Sequence, residues 1–248
     1  MTELVHAHVA DGVARVVLDS QHNRNALSRQ LVSELAAHLA VAEASPEARV
    51  VVIAAAGPVF CSGADLSEAA DDGMAEGARA LVSLQRQIVA LPKPVVVRLH
   101  GPVRAGGLGI VGAADVVVAA ASVSFAFTEV RLGLAPAAIS LTTLPRLTDR
   151  AAASAYLTGG TFDAVEAARI GLVTRAVPDV DLDDAVDAVV AELAKGSLQG
   201  LRETKALLNA GLLERIDALG DSVARRSAEL FASDEARAAM QAFLARKR

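Results

Sequence analysis

The sequence predicts an α/β protein: parallel, fully buried strands crossed by helices, followed by a helical C-terminal third. Three observations predict it. Residues 50–53, 95–99 (interrupted only by Arg98) and 116–120 are short apolar runs without polar alternation, as strands buried on both faces require. Segments with helical spacing separate these runs, and strand–helix alternation implies parallel strands joined by crossovers. From Asp163 onward the apolar spacing is mostly helical. A chain of 248 residues is long enough to bury one large core.

Each element follows from local signals. Residues 5–18 read as a hairpin, because alternating segments flank Asp11-Gly12, a two-residue turn signal. Residues 19–25 form a polar loop. Over 26–44, Leu27, Leu31, Leu35, Leu39 and Ala42 recur at helical spacing, with Ser28 as N-cap. Ser45-Pro46 ends that helix, since proline cannot continue it. Gly57-Pro58 breaks the strand at 50–53, and residues 60–66 lead through a loop into a helix over about 77–91. Pro92-Lys93-Pro94 stiffens the entry to the second buried strand. A glycine-rich turn and short helix occupy 101–114, and a fourth short strand lies at 124–127. The strand, glycine turn and helix thus occur twice, over 50–66 and 95–114. Helices are expected over 164–170 (closed by Gly171), 182–195, 201–213 and 216–244. A boundary near Lys195-Gly196-Ser197 divides a core of residues 1–195 from a helical region of 196–248.

Composition excludes several classes. With 53% hydrophobic and 21% charged residues the chain is not disordered. Cys61 is the single cysteine, so no intrachain disulfide exists. A net charge of −5 and 3% aromatics argue against a nucleic-acid partner, which needs a basic surface and stacking rings. His6, His8, His22 and His38 lack metal-ligand spacing, and Gly106, Gly107 and Gly109 do not make a dinucleotide fingerprint. No metal and no redox cofactor is expected. Residues 105–128 carry Asp115 as their one charge, but the glycine-rich start and the β-branched run after Asp115 read as a buried helix entering a buried strand. A membrane span would need about 20 apolar residues in one helix. The start, Met1-Thr2-Glu3-Leu4-Val5-His6, lacks signal-peptide features. A soluble, cytoplasmic protein is expected.

Two glycine turns and one carboxylate carry the chemistry. Cys61-Ser62-Gly63-Ala64-Asp65-Leu66 and the segment from His100 to Gly109 each follow a buried strand. Glycine there lets the backbone turn sharply and lets a ligand approach. Two free N–H groups converging at such turns would make an oxyanion hole; the bland alternative is a pair of ordinary strand-to-helix turns. Glu129 lies between apolar neighbours just after a strand. Burial would raise its pKa toward neutrality, suiting general acid–base work, or the residue pairs with Arg131 or Arg146. Cys61 reads as a small apolar filler, Asp65 as a turn-capping carboxylate, and His100 as a packing or hydrogen-bonding residue.

Together these residues resemble the crotonase family, the enoyl-CoA hydratase/isomerase superfamily. The matching features begin with Asn25-Ala26-Leu27, Phe60-Cys61-Ser62-Gly63-Ala64-Asp65-Leu66, Lys93-Pro94 and His100-Gly101. They continue through Ala105-Gly106-Gly107, Asp115, Phe127-Thr128-Glu129-Val130-Arg131-Leu132-Gly133 and Leu157-Thr158-Gly159. Ala167-Ala168-Arg169-Ile170-Gly171-Leu172-Val173 and Phe231-Ala232-Ser233-Asp234 complete the set. The resemblance implies a crotonase-like spiral of ββα units with a C-terminal helical trimerisation region, in a homotrimer or homohexamer. It implies an acyl-CoA thioester as substrate, with CoA part of that substrate and no separate cofactor. The family's oxyanion N–H groups fall on Ala64 and Gly106, and its acid–base glutamate on Glu129. Arg24, Ala26, Leu27, Ala64, Asp65, Leu66, Gly106 and Gly109 fall along the expected substrate and CoA path.

One departure matters. The hydratases of the family carry two glutamates, and the first position is Gly109 here. One acid–base group remains. Gly109 would leave room for a β-substituent, and the local pattern looks like the branch that hydrates branched acyl-CoA esters. Hydration of a 2-enoyl-CoA by a single glutamate is the expected reaction. The alternatives are Δ3-Δ2-enoyl-CoA isomerisation and a non-catalytic acyl-CoA-binding oligomer. Arg104 stands where the family has a small or apolar residue. It faces either the acyl pocket, where it would pair with a substrate carboxylate, or solvent.

Overall fold

A computed structural model gives the structure of residues 2–68 and 73–245. β1 (Val5–Ala10) and β2 (Val13–Leu18) form the expected hairpin, turning on Asp11 and Gly12 at φ 51° and 79°. Two successive left-handed residues match the right-handed twist of the flanking strands. α1 (Arg29–Ala44) begins after residue 28 rather than at 26, because the Ser28 side chain accepts the Leu31 N–H at 3.2 Å and caps it. β3 (Val50–Ala55) follows. α2 (Gly73–Ala90) begins earlier than the expected 77, and the loop expected before it falls partly on residues 69–72, outside the described residues.

The next elements are β4 (Val95–Leu99), β5 (Val103–Arg104), α3 (Gly107–Ala113), β6 (Val116–Ala120) and β7 (Ser124–Ala126). Beyond them lie α4 (Ser140–Thr143), α5 (Asp149–Thr158), β8 (Phe162–Asp163), α6 (Ala164–Arg169), β9 (Arg175–Val177) and α7 (Leu182–Ala194). Periodicity gave no signal for α4, α5, β8 or β9. The strands are two or three residues long, and α4 is four.

The strands form a spiral. A six-stranded sheet runs β1-β2-β3-β4-β6-β9, and a three-stranded sheet runs β5-β7-β8. β4 and then β6 each enter the large sheet, and the chain passes next through β5 or β7 in the small one. Cys61, after β3, makes the corresponding parallel bridge to Val103. Every pair from β2 to β9 in the large sheet is parallel. Val50, Val51, Val52, Ile53, Val95, Val96 and Val97 are all buried, which accounts for their lack of polar alternation.

α8 (Leu198–Phe231) is one unbroken helix of 34 residues, where two helices with a break near 214 were expected. A continuous buried stripe explains it: Lys205, Asn209, Leu212, Ile216, Gly220, Ala224 and Ser227 recur at three- and four-residue spacing, and α8 packs along α2. Gly220 permits close approach, since a Cβ there would stand 3.0 Å from Val82. The break falls instead at Ala232-Ser233, before α9 (Asp234–Ala245), where Ser233 Oγ accepts the Ala236 N–H at 3.2 Å.

A buried ion pair pins α8 to the sheet. Lys205 Nζ lies 2.7 Å from Asp115 Oδ2 and donates to the carbonyls of Ile88 and Lys93, both at 3.0 Å. Asn209 donates to Asp115 Oδ1 at 3.0 Å, and the Val95 N–H donates to Asp115 Oδ2 at 2.7 Å. Among the described residues no helix is long and apolar enough to cross a membrane. The segment 105–128 is α3, β6 and β7, as expected.

Candidate active site

Two loops are stitched together at one end of the large sheet. Asn25 is buried in the left-handed conformation (φ 53°), and its carboxamide accepts the Ser20 N–H and donates to the carbonyls of Ala56 and Val59. Three bonds from one amide hold the 20–27 loop. Ser62 donates to the Asn23 carbonyl, and Asn23 donates to Asp65 at 2.9 Å. The Leu27 N–H donates to the Gly63 carbonyl at 2.8 Å, forming a single parallel bridge with Ala64. That register leaves the Ala64 N–H pointing away from the bridge.

The second glycine turn arrives beside the first. Gly63 has φ 99°, and a Cβ on it would meet the Ala105 Cβ at 2.9 Å. Only glycine lets the two turns approach this closely. Ala105 is itself left-handed (φ 45°), which swings Gly106 to the start of α3. A Cβ on Gly106 would stand 3.8 Å from the Ala64 nitrogen and 2.9 Å from Leu27. Among the described residues, neither the Ala64 nor the Gly106 N–H donates to a protein acceptor. Both residues line one cavity, and a side chain on residue 106 would stand within 4 Å of the Ala64 nitrogen.

Glu129 lies in the same cavity wall. It sits in a single 3-10 turn, residues Thr128–Leu132, which Gly133 closes at φ 69°, and α5 and α9 pack on that turn. The alternative of an ion pair does not hold. Arg131 donates to the Thr158 carbonyl and Arg146 to those of Gly112 and Ala114, whereas Glu129 Oε2 is buried without a partner. Burial pushes its carboxyl up to about 7, against a smaller opposing pull from its own backbone N–H. A buried carboxylate oxygen without a partner, on a residue that lines a cavity, can take up or release a proton there.

The cavity has a volume of about 440 Å³. Arg24, Ala26, Leu27, Ala64, Asp65, Leu66, Gly106 and Glu129 all line it. Asp65 also caps its turn as expected. Burial pushes its carboxyl up, but hydrogen bonds from Ser67 and Asn23 outweigh that and hold it below its usual value. Gly109 does not line the cavity. The room expected above it is taken: a Cβ there would stand 3.0 Å from both Gln85 Cδ and Ile139 Cγ2. Arg104 faces neither the cavity nor open solvent. Its guanidinium is half-buried and donates to the Ser124 carbonyl and hydroxyl at 2.6 and 2.8 Å, tying β5 to β7. Cys61 is buried, and burial pushes its thiol up to about 12, which suits a filler and not a nucleophile. His100 Nε2 lies 2.6 Å from the Gly57 carbonyl.

Several lining residues had no individual signal. Met74, Gly77, Ala78 and Leu81 form one stripe of α2, which periodicity alone assigns to core packing. Ser227 and Phe231, at i and i+4 on α8, close the cavity from the C-terminal region. Only tertiary packing could bring them there.

The family model described as enoyl-CoA hydratase/isomerase matches residues 8–248. A Rhodobacter capsulatus protein named probable enoyl-CoA hydratase is 35% identical over 98% of this chain and 95% of its own. An Escherichia coli 1,2-epoxyphenylacetyl-CoA isomerase is 29% identical over 88% of this chain and 86% of its own. The crystal structure of an enoyl-CoA hydratase from Mycobacterium avium superposes with a TM-score of 0.93 at 50% identity, covering 99% of this chain and 98% of that one. The chain belongs to the enoyl-CoA hydratase/isomerase family and has the crotonase fold.

Proposed function

We propose that the protein hydrates a 2-enoyl-CoA thioester, with Glu129 as its one acid–base group and the Ala64 and Gly106 N–H groups as its oxyanion hole. The observation that carries this reading is the shared cavity wall: two N–H donors without acceptors and a buried carboxylate oxygen without a donor. The names of the relatives from R. capsulatus and M. avium support hydration over isomerisation.

The step balances with one carboxylate. The thioester oxygen sits between the Ala64 and Gly106 N–H groups. Glu129 takes a proton from water as the water oxygen bonds to C3. The double-bond electrons move onto the thioester oxygen, forming an enolate that the two donors hold. Glu129 then returns a proton to C2, giving the 3-hydroxyacyl thioester and the starting carboxylate. Preorganised donors of this kind are worth roughly 3 kcal/mol each. Gln85 does not replace the missing second glutamate, since both its N–H donors and its oxygen are engaged by protein groups.

CoA enters as part of the substrate, and Arg24, which lines the cavity, would meet one of its phosphates. The chain works as a homotrimer or homohexamer on the same reading, and Leu207 and Leu208, about four-fifths exposed on α8, support a contact there. Light scattering that finds only monomer would remove that part.

The test offers purified protein crotonyl-CoA, 3-methylglutaconyl-CoA and a 3-enoyl-CoA, following the conjugated enoyl absorbance and product mass. Gain of one water on a 2-enoyl ester is the expected result. Conversion of the 3-enoyl ester to its 2-enoyl isomer without hydration would replace the hydratase by an isomerase. Binding of all three without turnover would leave a non-catalytic acyl-CoA-binding oligomer.

A further inference from the structure

The stripe of α2 that lines the cavity runs Met74, Gly77, Ala78, Leu81. Its next position at helical spacing is Gln85, which is wholly buried and no longer lines the cavity. α3 shows the same step. Gly106 lines the cavity, and Gly109, one turn further, does not. Gln85 and Gly109 meet at this point, with Gln85 Cδ 3.0 Å from where a Cβ on Gly109 would stand. The lining thus ends one turn short of Gln85, which lies behind it and bonds the carbonyls of two lining residues, Leu81 and Ala138.

Gln85 is fixed there. Its Nε2 donates to the carbonyls of Leu81 and Ala138 at 3.2 and 3.1 Å, and its Oε1 accepts the Thr142 hydroxyl at 2.6 Å. Ala138 and Ile139 form the facing wall of the cavity. A side chain held by three bonds and packed on a bare α-carbon cannot swing aside as a flexible apolar one would.

We propose that Gln85 is a specificity-determining plug behind the stretch of cavity wall formed by Leu81, Ala138 and Ile139, limiting the length of acyl chain the enzyme accepts. The proposal rests on the acyl-thioester reading of the cavity given above. The absent side chain at position 109 makes the plug possible, because Gln85 fills that volume from the neighbouring helix. Shortening residue 85 opens a channel between α2 and α3 into which a longer chain extends.

The test titrates wild type, Gln85→Ala, Gln85→Asn and Gln85→Met with saturated butyryl-, hexanoyl-, octanoyl- and decanoyl-CoA by calorimetry, so that binding is read without turnover. Thermal melts accompany each variant. The ratio of octanoyl to butyryl affinity should rise about tenfold or more in Gln85→Ala, the value of a methylene or more in an apolar pocket. Gln85→Asn keeps the amide on a shorter stem and should shift the ratio in the same direction by less. It carries the test alone if Gln85→Ala does not fold. Gln85→Met keeps the length without the hydrogen bonds, and should retain the wild-type length limit even with a lower Tm. Unchanged ratios in the shortened variants would overturn the plug, as would a Met variant that relaxes as far as Ala. If wild type binds none of the four esters, the acyl-thioester reading itself falls, and the plug with it.

Discussion

Gln85 packs against the bare α-carbon of Gly109, its Cδ 3.0 Å from where a Cβ there would stand, so that the side chain of one helix takes the space left by the other. Gly109→Ala sets two effects against each other. Replacing glycine by alanine inside a helix gains up to about 1 kcal/mol, whereas overpacking a filled site costs typically about 1–3 kcal/mol. Three hydrogen bonds hold Gln85 in place, so overpacking should win. A net loss of about 1 kcal/mol is expected in urea unfolding. In a Gln85→Ala background the same change should cost less, with the Ile139 Cγ2 contact at 3.0 Å left as the remaining crowding. Additive single and double mutants would show that the two side-chain positions do not share space.

Glu129→Gln removes the proton carrier while keeping shape. Turnover of the 2-enoyl ester should fall by about 10²–10⁴-fold, the range for loss of a general acid–base group. Affinity for a saturated acyl-CoA should stay within a few-fold, since Ala64, Gly106 and Arg24 are untouched. Steady-state kinetics and calorimetry on one preparation separate the two effects. Unchanged turnover would remove Glu129 from the mechanism.

The buried carboxyl also makes stability depend on pH. Its folded pKa is raised to about 7 from 4.5, so the folded state holds the proton over that interval and the unfolded state does not. Stability from this group is fully present below about 4.5 and is lost as pH rises through about 7. The loss is on the order of 3 kcal/mol. Glu129→Gln cannot ionise, so its Tm should gain on wild type between pH 4.5 and 7 and hold that gain above. A constant Tm difference across the range would mean the carboxyl is not desolvated. The kinetic counterpart is a rise in kcat/KM as pH increases through the same pKa, because the carboxylate must be free to accept a proton.

Lys205→Met leaves Asp115 facing the protein interior without its cation, though the bonds from Val95 N–H and Asn209 remain. Removing one partner of a buried pair typically costs about 3–5 kcal/mol. Denaturant unfolding should show a loss of that order. Arg86→Leu, which breaks the exposed pair between Arg86 on α2 and Asp217 on α8, should cost no more than about 1 kcal/mol. Equal losses would contradict the difference in burial that separates the two pairs.

The sequence alone determined the buried parallel strands, the hairpin at Asp11-Gly12 and the Ser28 cap, because each depends on neighbours a few residues away. Solvent exclusion on both faces writes a continuous apolar run, and a tight turn writes Asp-Gly. The glycine turns at 63 and 106 and the carboxylate at 129 were also legible, through residue types that the backbone or the chemistry demands. Tertiary structure alone decided which of these groups meet. Ala64 and Gly106 line one cavity because Gly63 lets the second turn pack within contact of the first. Glu129 is a free carboxyl only because Arg131 and Arg146 are spent on carbonyls elsewhere. Arg104 was turned from the site by Ser124, twenty residues on, and the space at Gly109 was filled by Gln85 from another helix. The unbroken α8 and its Ser227 and Phe231 at the cavity follow from packing along α2, a long-range contact that helical periodicity does not encode. Local steric rules act through the chain and can be read along it, whereas the occupancy of a shared volume depends on segments that only folding brings together.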